Sequence, residues 1–297
     1  MRVFILGIDG LEYNFVEKYR LRNLKQVEYG KTDLSDMEEI LTPVIWGSFV
    51  TGRVQLKKDV TTIKWDNKFI EFLKKVSVKI GLHKIKGKGK LIEKLGIAHR
   101  RDHTWEDYKE KGVKTIFDYA KNPISLHVPT INDRSEFRKT APLLVEIIEN
   151  QDKEYEYLRI FWKQFKEIRK EVYEKLNDNW DLFMVHFQLL DFLGHLYAGR
   201  PNIHLYKGYL AFDELAYELK RKLKDVFFLI ISDHGMKPLP DGTGNHSTHG
   251  FWSININTEW EPKDFTDFFP QIVRLSLIHI SEPTRPLYIS YAVFCLK

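Results

Sequence analysis

The sequence predicts an α/β protein with a mostly parallel central sheet and helices on both of its faces. Three observations indicate this architecture. Apolar runs at residues 2–8, 180–190 and 226–231 have the length and composition of strands buried on both faces. Stretches with helical spacing separate these runs, and such alternation is typical of a parallel sheet. Each run ends in polar or charged residues, as expected at the edge where these sheets bind ligands.

Length and composition are those of a globular protein. The 297 residues are 43% hydrophobic and 29% charged, and the formal net charge of +5 indicates only a tolerance for anionic partners. No stretch reaches the roughly 18 consecutive apolar residues of a membrane span, so we expect no membrane partner. The apolar N-terminus is interpreted as a strand rather than a signal peptide. The single cysteine, Cys295, favours a cytoplasmic location.

The first strand, residues 2–8, is followed by Asp9, which by itself is a turn residue as often as a ligand. Residues 11–19 then have helical spacing. Thr42 and Pro43 predict the start of another helix, with Thr42 as its N-cap residue. The functional alternative is that Thr42 presents its hydroxyl beside a metal, at a helix N-terminus that favours an anion such as phosphate.

The segment 57–110 is polar, basic and loosely periodic, and we interpret it as a small helical insertion, or cap, over the ligand-binding edge. Helices are predicted within it at residues 69–80 and 91–95. The lysine- and glycine-rich stretch 84–90 is interpreted as a solvated loop. A lid that steers anionic substrates, or a nucleic-acid contact, is the alternative interpretation of this stretch.

The middle of the chain is predicted to contain a helix at residues 112–120, a strand at 124–128 that ends in a loop at 129–135, and helices at 142–149 and 155–176. Charged residues spaced four apart support the last of these helices.

The apolar run at 180–190 leads into Asp191 and His195, four residues apart. On one helical turn these side chains face the same way and could bind one ion, although a core-facing pair is an equal alternative. His186, inside the strand, is interpreted as a core histidine rather than a ligand. Residues 204–223 are predicted to form a helix that returns the chain to the central strand.

The strand at 226–231 ends in Asp233 and His234, and the following loop contains His246 and His249. Aspartate and histidine suit zinc or manganese, and four candidate ligands within seventeen residues are dense. In isolation the Asp-His pair is more typical of a strand-to-turn junction. The interpretation of these residues as metal ligands is nevertheless favoured, because three other stretches of the chain also carry candidate ligands.

Residues 264–275 are predicted to form a helix that packs back on the sheet. The last 22 residues, 276–297, lose the lysine- and glutamate-rich character of the chain. We interpret them as a non-native tail.

The candidate ligands occur in an ordered set of short motifs: Gly7-Ile8-Asp9-Gly10, residues 42–52, Asp191-x-x-Gly194-His195, residues 232–236, and Gly244-Asn245-His246. In this order they resemble the alkaline phosphatase superfamily, and within it the type I phosphodiesterase/nucleotide pyrophosphatase branch. The resemblance implies that residues 1–275 form a single catalytic domain. It would be an alkaline-phosphatase-like three-layer α/β/α sandwich, with residues 57–110 as its insertion.

The resemblance also implies two divalent metal ions, with zinc or manganese expected. One ion would bind Asp9, Asp233 and His234, beside Thr42. The other would bind Asp191, His195 and a loop histidine, for which His246 fits the family motif best and His249 is the second choice. The implied metal ligands are therefore Asp9, Thr42, Asp191, His195, Asp233, His234 and His246.

The implied reaction is hydrolysis of a small phosphodiester, with a nucleotide as one candidate substrate. Thr42 would be the metal-activated nucleophile and would form a phospho-threonine intermediate. Two departures from nucleotide pyrophosphatases count against a nucleotide: Ile45 stands where that family has an asparagine, and residues 54–60 lack its His-Gly pair. Sulfatases are disfavoured because they need a cysteine or serine in place of Thr42.

Other functions are weighed against this one. A phosphomonoesterase or a phosphoglycerate-mutase-like phosphotransferase is possible within the superfamily, and so is a degenerate, inactive relative. From another class, a basic nucleic-acid-binding protein with structural metals would use the stretch 84–90. It is disfavoured because structural zinc sites usually have four Cys or His ligands.

Overall fold

The structure, a computed structural model, describes residues 1–35, 37–65, 98–132, 147, 153–258 and 260–281. The strands in this part of the chain are β1 (Arg2–Ile8), β2 (Glu28–Asp33), β3 (Thr61–Trp65), β4 (Ala98–Asp102), β5 (Pro123–Leu126), β6 (Leu182–Phe187), β7 (Val226–Ile231), β8 (Met236–Pro238), β9 (Gly244–His246) and β10 (His249–Ile254). The helices are α1 (Tyr13–Lys18), α2 (Arg22–Lys25), α3 (Thr42–Thr51), α4 (Lys57–Val60), α5 (Trp105–Glu110), α6 (Glu154–Lys175), α7 (Leu189–Tyr197), α8 (Ile203–Lys222) and α9 (Phe268–Ser281).

Six strands form the central sheet, in the order β2-β10-β7-β1-β6-β5. β1 pairs in parallel with both β6 and β7, and β5 pairs in parallel with β6. β10 alone of these six runs antiparallel, between β7 and β2. In the register of β1, Ile8 lies opposite Phe187, and Gly7 lies opposite Ile231. The residues that follow these three strands therefore meet at one edge of the sheet.

Both faces of the sheet are buried under helices, as predicted for a three-layer sandwich. On one face, Phe4 stacks on Phe183 with ring centroids 4.9 Å apart, and aromatic side chains of α6 and α8 complete this core. On the other face, Val3 and Ile5 pack in a second core with Trp46 of α3 and with α9. The successive side chains of β1 thus supply the two cores alternately.

Several element boundaries differ from the prediction. The strand expected at 180–190 ends at Phe187, because α7 begins at Leu189. The prediction of a helix at 112–120 is wrong, because only a 3-10 turn, Ile116–Tyr119, forms there. Gly112 has a φ of 66°, which ends the preceding α5, and the side chain of Asp118 instead caps the next turn at Thr115.

The two strands at one edge of the sheet were not predicted. β2 is a polar edge strand, and its burial alternates between half-buried and exposed residues until Thr32. β10 begins at His249, within the stretch interpreted as a ligand-bearing loop.

The described part of the segment 57–110 contains α4, α5 and a two-stranded antiparallel sheet of β3 and β4. Three predicted features of this segment lie outside the described residues: the helices at 69–80 and 91–95 and the basic stretch 84–90. The helix predicted at 142–149 also lies outside them, except for Ile147, which is buried. Within the part of the chain that the structure describes, no helix is both long and apolar enough to cross a bilayer.

The helix predicted at 264–275 starts later and extends further, as α9, after a short turn at Phe265–Asp267. It packs against the sheet as expected, with Phe268 and Ile272 buried. Residues 276–281 continue it, and residues 282–297 lie outside the described residues. The non-native origin of the segment 276–297 stays a prediction.

Candidate metal centre

Three aspartates lie at the edge where the parallel strands end. Asp9 directly follows β1, Asp233 follows β7 by two residues, and Asp191 lies in the first turn of α7, just after β6. Asp9 and Asp233 are fully buried, and the side chain of Asp191 is 13% exposed. The strand register brings these residues together because β6, β1 and β7 are adjacent and parallel.

The first group of candidate ligands comprises Asp9, Asp233 and His234, whose ligand atoms all lie within 4.8 Å of one another. The Nε2 atom of His234 is 3.3 Å from Oδ1 of Asp9 and 3.4 Å from Oδ2 of Asp233. The hydroxyl of Thr42 donates to Oδ2 of Asp9 at 3.4 Å. Thr42 is therefore beside this group, as expected.

The second group comprises Asp191, His195 and His246. Oδ1 of Asp191 is 3.3 Å from Nε2 of His195 and 3.6 Å from Nε2 of His246. The two Nε2 atoms are 3.1 Å apart. His234 connects the two groups, since its ligand atom also lies within 4.8 Å of those of Asp191 and His246.

Each of the three histidines in these groups turns its Nε2 atom inward, and a backbone carbonyl holds its other ring nitrogen. Nδ1 of His195 is 3.0 Å from Gly244 O, Nδ1 of His246 is 2.9 Å from Ile40 O, and Nδ1 of His234 is 3.2 Å from Gly235 O. A carbonyl oxygen only accepts, so each Nδ1 carries the proton. The lone pair of each Nε2 is then directed into the cluster, as in histidines that ligate metals.

Buried acceptor atoms in the cluster lack hydrogen-bond partners among the described residues. They are Asp9 Oδ1, Asp191 Oδ1, both carboxylate oxygens of Asp233, and His234 Nε2. Leaving such atoms unpaired is costly in a protein interior. Divalent cations would satisfy all of them, and the mixture of aspartate and histidine suits zinc or manganese. The residues present thus fit a two-metal centre.

The pKa values within the cluster reflect the crowding of charge. Burial, with the neighbouring carboxylates of Asp233 and Asp191, raises the pKa of Asp9 well above its ordinary value. Burial also acts to raise the pKa of Asp191, but the adjacent imidazoles of His195 and His246 outweigh burial and lower that pKa. Three aspartates in one buried cluster repel one another, and bound cations would remove this repulsion.

Metal binding is therefore expected to stabilise the fold. Chelator-treated protein should melt at a lower temperature, and zinc at about 100 times its Kd should restore about 2.7 kcal/mol for each site. Differential scanning calorimetry with graded zinc or manganese measures this gain. Calcium is the control, because it prefers six to eight oxygen ligands and should stabilise less. Equal melting temperatures with chelator and with zinc would contradict a metal centre.

Thr42 is the first residue of α3, and Leu41, rather than Thr42, occupies the N-cap position. The predicted N-cap role of Thr42 is therefore wrong. Its hydroxyl makes no capping bond to α3 and is directed to Asp9 instead. The rest of α3 is buried from Val44 to Thr51, as its apolar sequence indicated.

The structure separates the two candidate loop histidines. His246 joins Asp191 and His195, whereas Nε2 of His249 lies 3.0 Å from Oε1 of Glu12. His186 is buried in the core as expected, but its Nε2 atom has no hydrogen-bond partner among the described residues and lies 3.6 Å from Oδ2 of Asp9. Burial lowers the pKa of His186 to about 3.

Glu12, which is buried beside this cluster, was missed by the sequence analysis. A signal existed, since Glu12 follows Asp9 by three residues in the same strand-to-helix turn.

A parallel sheet between two helical layers, with these aspartates and histidines at its carboxyl edge, defines an α/β protein with a candidate two-metal site. Comparison with known families then gives the particular family. The family profile described as type I phosphodiesterase / nucleotide pyrophosphatase matches residues 3–266. The chain belongs to this family, as its motifs indicated. Among curated proteins, none matches the chain significantly.

Solved structures with a similar fold have low sequence identity. Murine ectonucleotide pyrophosphatase / phosphodiesterase 5 is 12% identical with a TM-score of 0.42, over 80% of this chain and 58% of that one. The PH0037 protein from Pyrococcus horikoshii is 11% identical with a TM-score of 0.45, over 96% of this chain and 99% of that one. A mutant TAB5 alkaline phosphatase with Mg bound is 11% identical with a TM-score of 0.46, over 93% of this chain and 97% of that one. This chain therefore spans 58% of the length of the murine protein.

Proposed function

We propose that the protein is a two-metal phosphodiesterase with Thr42 as its nucleophile. The observation that carries the proposal is the position of the Thr42 hydroxyl, 3.4 Å from a buried carboxylate of the metal-ligand cluster. Membership of the type I phosphodiesterase / nucleotide pyrophosphatase family supports the reaction class.

Zinc or manganese ions are proposed at both groups of ligands. Asp9, Asp233 and His234, with Thr42, would hold one ion, and Asp191, His195 and His246 would hold the other. When bound, these ions would lower the pKa of the Thr42 hydroxyl and offset the charge that develops on the phosphoryl oxygens.

The reaction then uses groups of this chain in two steps. In the first, the oxygen of Thr42 attacks phosphorus, the bond to the leaving alcohol breaks, and a phospho-threonine forms. In the second, water cleaves the bond between phosphorus and Thr42, which releases the phosphomonoester and restores the hydroxyl. Thr42 is the first residue of α3, and the dipole at this end of the helix would favour the negative charge of a phosphoryl group.

The charge of the ligand cluster supports a diester over a monoester. The three clustered carboxylates would offset three of the four positive charges of two divalent ions, which leaves a centre matched to a singly charged diester. Ile45, three residues after Thr42, is buried and apolar, so it offers a phosphate no polar contact, which counts against a nucleotide substrate. A nucleotide diester stays one candidate substrate, and the cytoplasmic location stays a prediction.

A rate comparison tests the proposal. Purified full-length protein, stripped of metal and then supplied with zinc or manganese, should hydrolyse bis-p-nitrophenyl phosphate at least ~10-fold faster than p-nitrophenyl phosphate, a difference of about 1.4 kcal/mol in activation free energy. Thr42→Ala is the matched control for trace contaminants. Faster turnover of the monoester would reassign the protein to the phosphomonoesterases or phosphotransferases.

A further inference from the structure

One buried carboxylate outside the proposed ligand set, that of Glu12, lies in the loop that carries Asp9 and contacts the segments that follow His234 and His246. Glu12 is 2% exposed and is the N-cap residue of α1, three residues after Asp9. The reaction proposed above does not use it. A buried carboxylate requires several hydrogen bonds to remain in a protein interior, so its partners show what it holds in place.

The two oxygens of Glu12 accept hydrogen bonds from different segments. Oε1 accepts from the backbone N–H of Asn14 at 2.9 Å and from its side-chain amide at 2.7 Å. The same oxygen accepts from Nε2 of His249 at 3.0 Å. Oε2 accepts from the backbone N–H of Met236 at 2.9 Å and from the hydroxyl of Ser247 at 3.4 Å.

These partners adjoin the proposed ligands. Met236 follows His234 by two residues, and Ser247 follows His246 by one. Each of the two loops is thus tied to the segment that begins with Asp9. Hydrogen bonds to an ionised carboxylate are stronger than those between neutral groups, so these contacts restrict the loops more than ordinary loop contacts would.

The approach of Glu12 to the loop after β7 is close. A Cβ atom on Gly235 would lie 2.2 Å from Oε2 of Glu12, so any larger residue between His234 and Met236 would displace the Glu12 carboxylate. Glu12 is itself held, because its backbone N–H donates to the hydroxyl of the buried Tyr209 at 3.0 Å.

The charge of Glu12 is maintained in this environment. Burial is the largest single influence and acts to raise the pKa of Glu12. Hydrogen bonds from His249 and from the N–H groups of Asn14 and Met236 together outweigh burial and lower that pKa below its ordinary value.

We propose that Glu12 is a positioning residue that sets the relative positions of the three ligand-bearing loops, and thereby the metal affinity of the centre. His249, the second choice as a metal ligand, is assigned to this anchor by the same contacts. The inference rests on the proposed function, because it presumes that the two groups of ligands bind metal.

Calorimetric titration of zinc into chelator-stripped, full-length protein tests the proposal. Glu12→Asp is the informative variant, since aspartate keeps the charge and is a good N-cap residue, but it is one methylene too short to reach Met236 and Ser247. We expect it to bind zinc about 10- to 100-fold more weakly than the wild type, the range found when groups that orient metal ligands are lost. Glu17→Gln in the same helix is the matched control and should leave zinc affinity unchanged.

The possible outcomes are distinct. Wild-type zinc affinity in Glu12→Asp would overturn the positioning role and reduce Glu12 to a helix cap. A wild-type protein that binds no zinc would overturn the proposed function, and the inference with it. Should Glu12→Asp fail to fold, His249→Ala should weaken zinc binding severalfold while His249→Gln, which keeps a donor for Glu12, restores it. Equal zinc affinity of these two His249 variants would contradict the anchor.

Discussion

Replacement of Thr42 by alanine is expected to abolish diester hydrolysis while both metal ions remain bound. We expect kcat/KM to fall at least ~10³-fold, because the hydroxyl that attacks phosphorus is removed and removal of a nucleophile typically costs this much or more. The ligands Asp9, Asp233 and His234 are untouched. Metal content measured by elemental analysis should therefore stay near two ions per chain, and stability should change by less than about 1 kcal/mol.

Two further variants sharpen this result. Thr42→Ser keeps the hydroxyl and should lose no more than about tenfold in kcat/KM, or ~1.4 kcal/mol in activation free energy. Thr61→Ala removes a threonine whose hydroxyl bonds to the carbonyl of Lys57, and it should leave turnover unchanged. Full diester hydrolysis by Thr42→Ala would show that another nucleophile, such as water, attacks phosphorus directly.

Replacement of His246 by alanine is expected to remove one of the two ions. Its Nε2 atom is 3.6 Å from Oδ1 of Asp191 and 3.1 Å from Nε2 of His195, so the second group would keep only two protein ligands. Metal content should fall from about two ions per chain to about one. A drop of about 10³-fold in kcat/KM, equal to ~4 kcal/mol, should follow because each ion stabilises charge in the transition state.

His249→Gln is the matched control for this experiment. His249 lies three residues further along the chain, and glutamine preserves the hydrogen bond to Glu12. Its metal content should therefore match that of the wild type. Loss of an ion in His249→Gln, together with retention in His246→Ala, would exchange the assignments of the two histidines.

Much of the architecture was predictable because it depends on local pattern. Continuous apolar runs identified β1, β6 and β7, and alternation with helices identified the parallel sheet between two helical layers. The residues that end those strands, such as Asp9 and Asp233, follow directly from this pattern. The order of strands and motifs along the chain was also sufficient to indicate the family.

Other features depended on residues far apart in sequence. β2 is a polar edge strand that carries little apolar signal, and it forms because it pairs with β10, more than 200 residues later. The error at residues 112–120, by contrast, had a local cause: the turn at Gly112 and the cap at Thr115 outweighed the helical spacing.

The sequence by itself determined which residue types stand at the ends of the buried strands, since that is a property of neighbouring residues. Only the tertiary structure decided which of two histidines faces Asp191, because both lie on one short segment and have the same chemistry. The pairing of β9 with β8 and of β10 with β7 turns His246 into the cluster and His249 toward Glu12. The role of Glu12 likewise depended on the tertiary structure, because its hydrogen-bond partners Met236 and His249 lie more than 200 residues away in sequence.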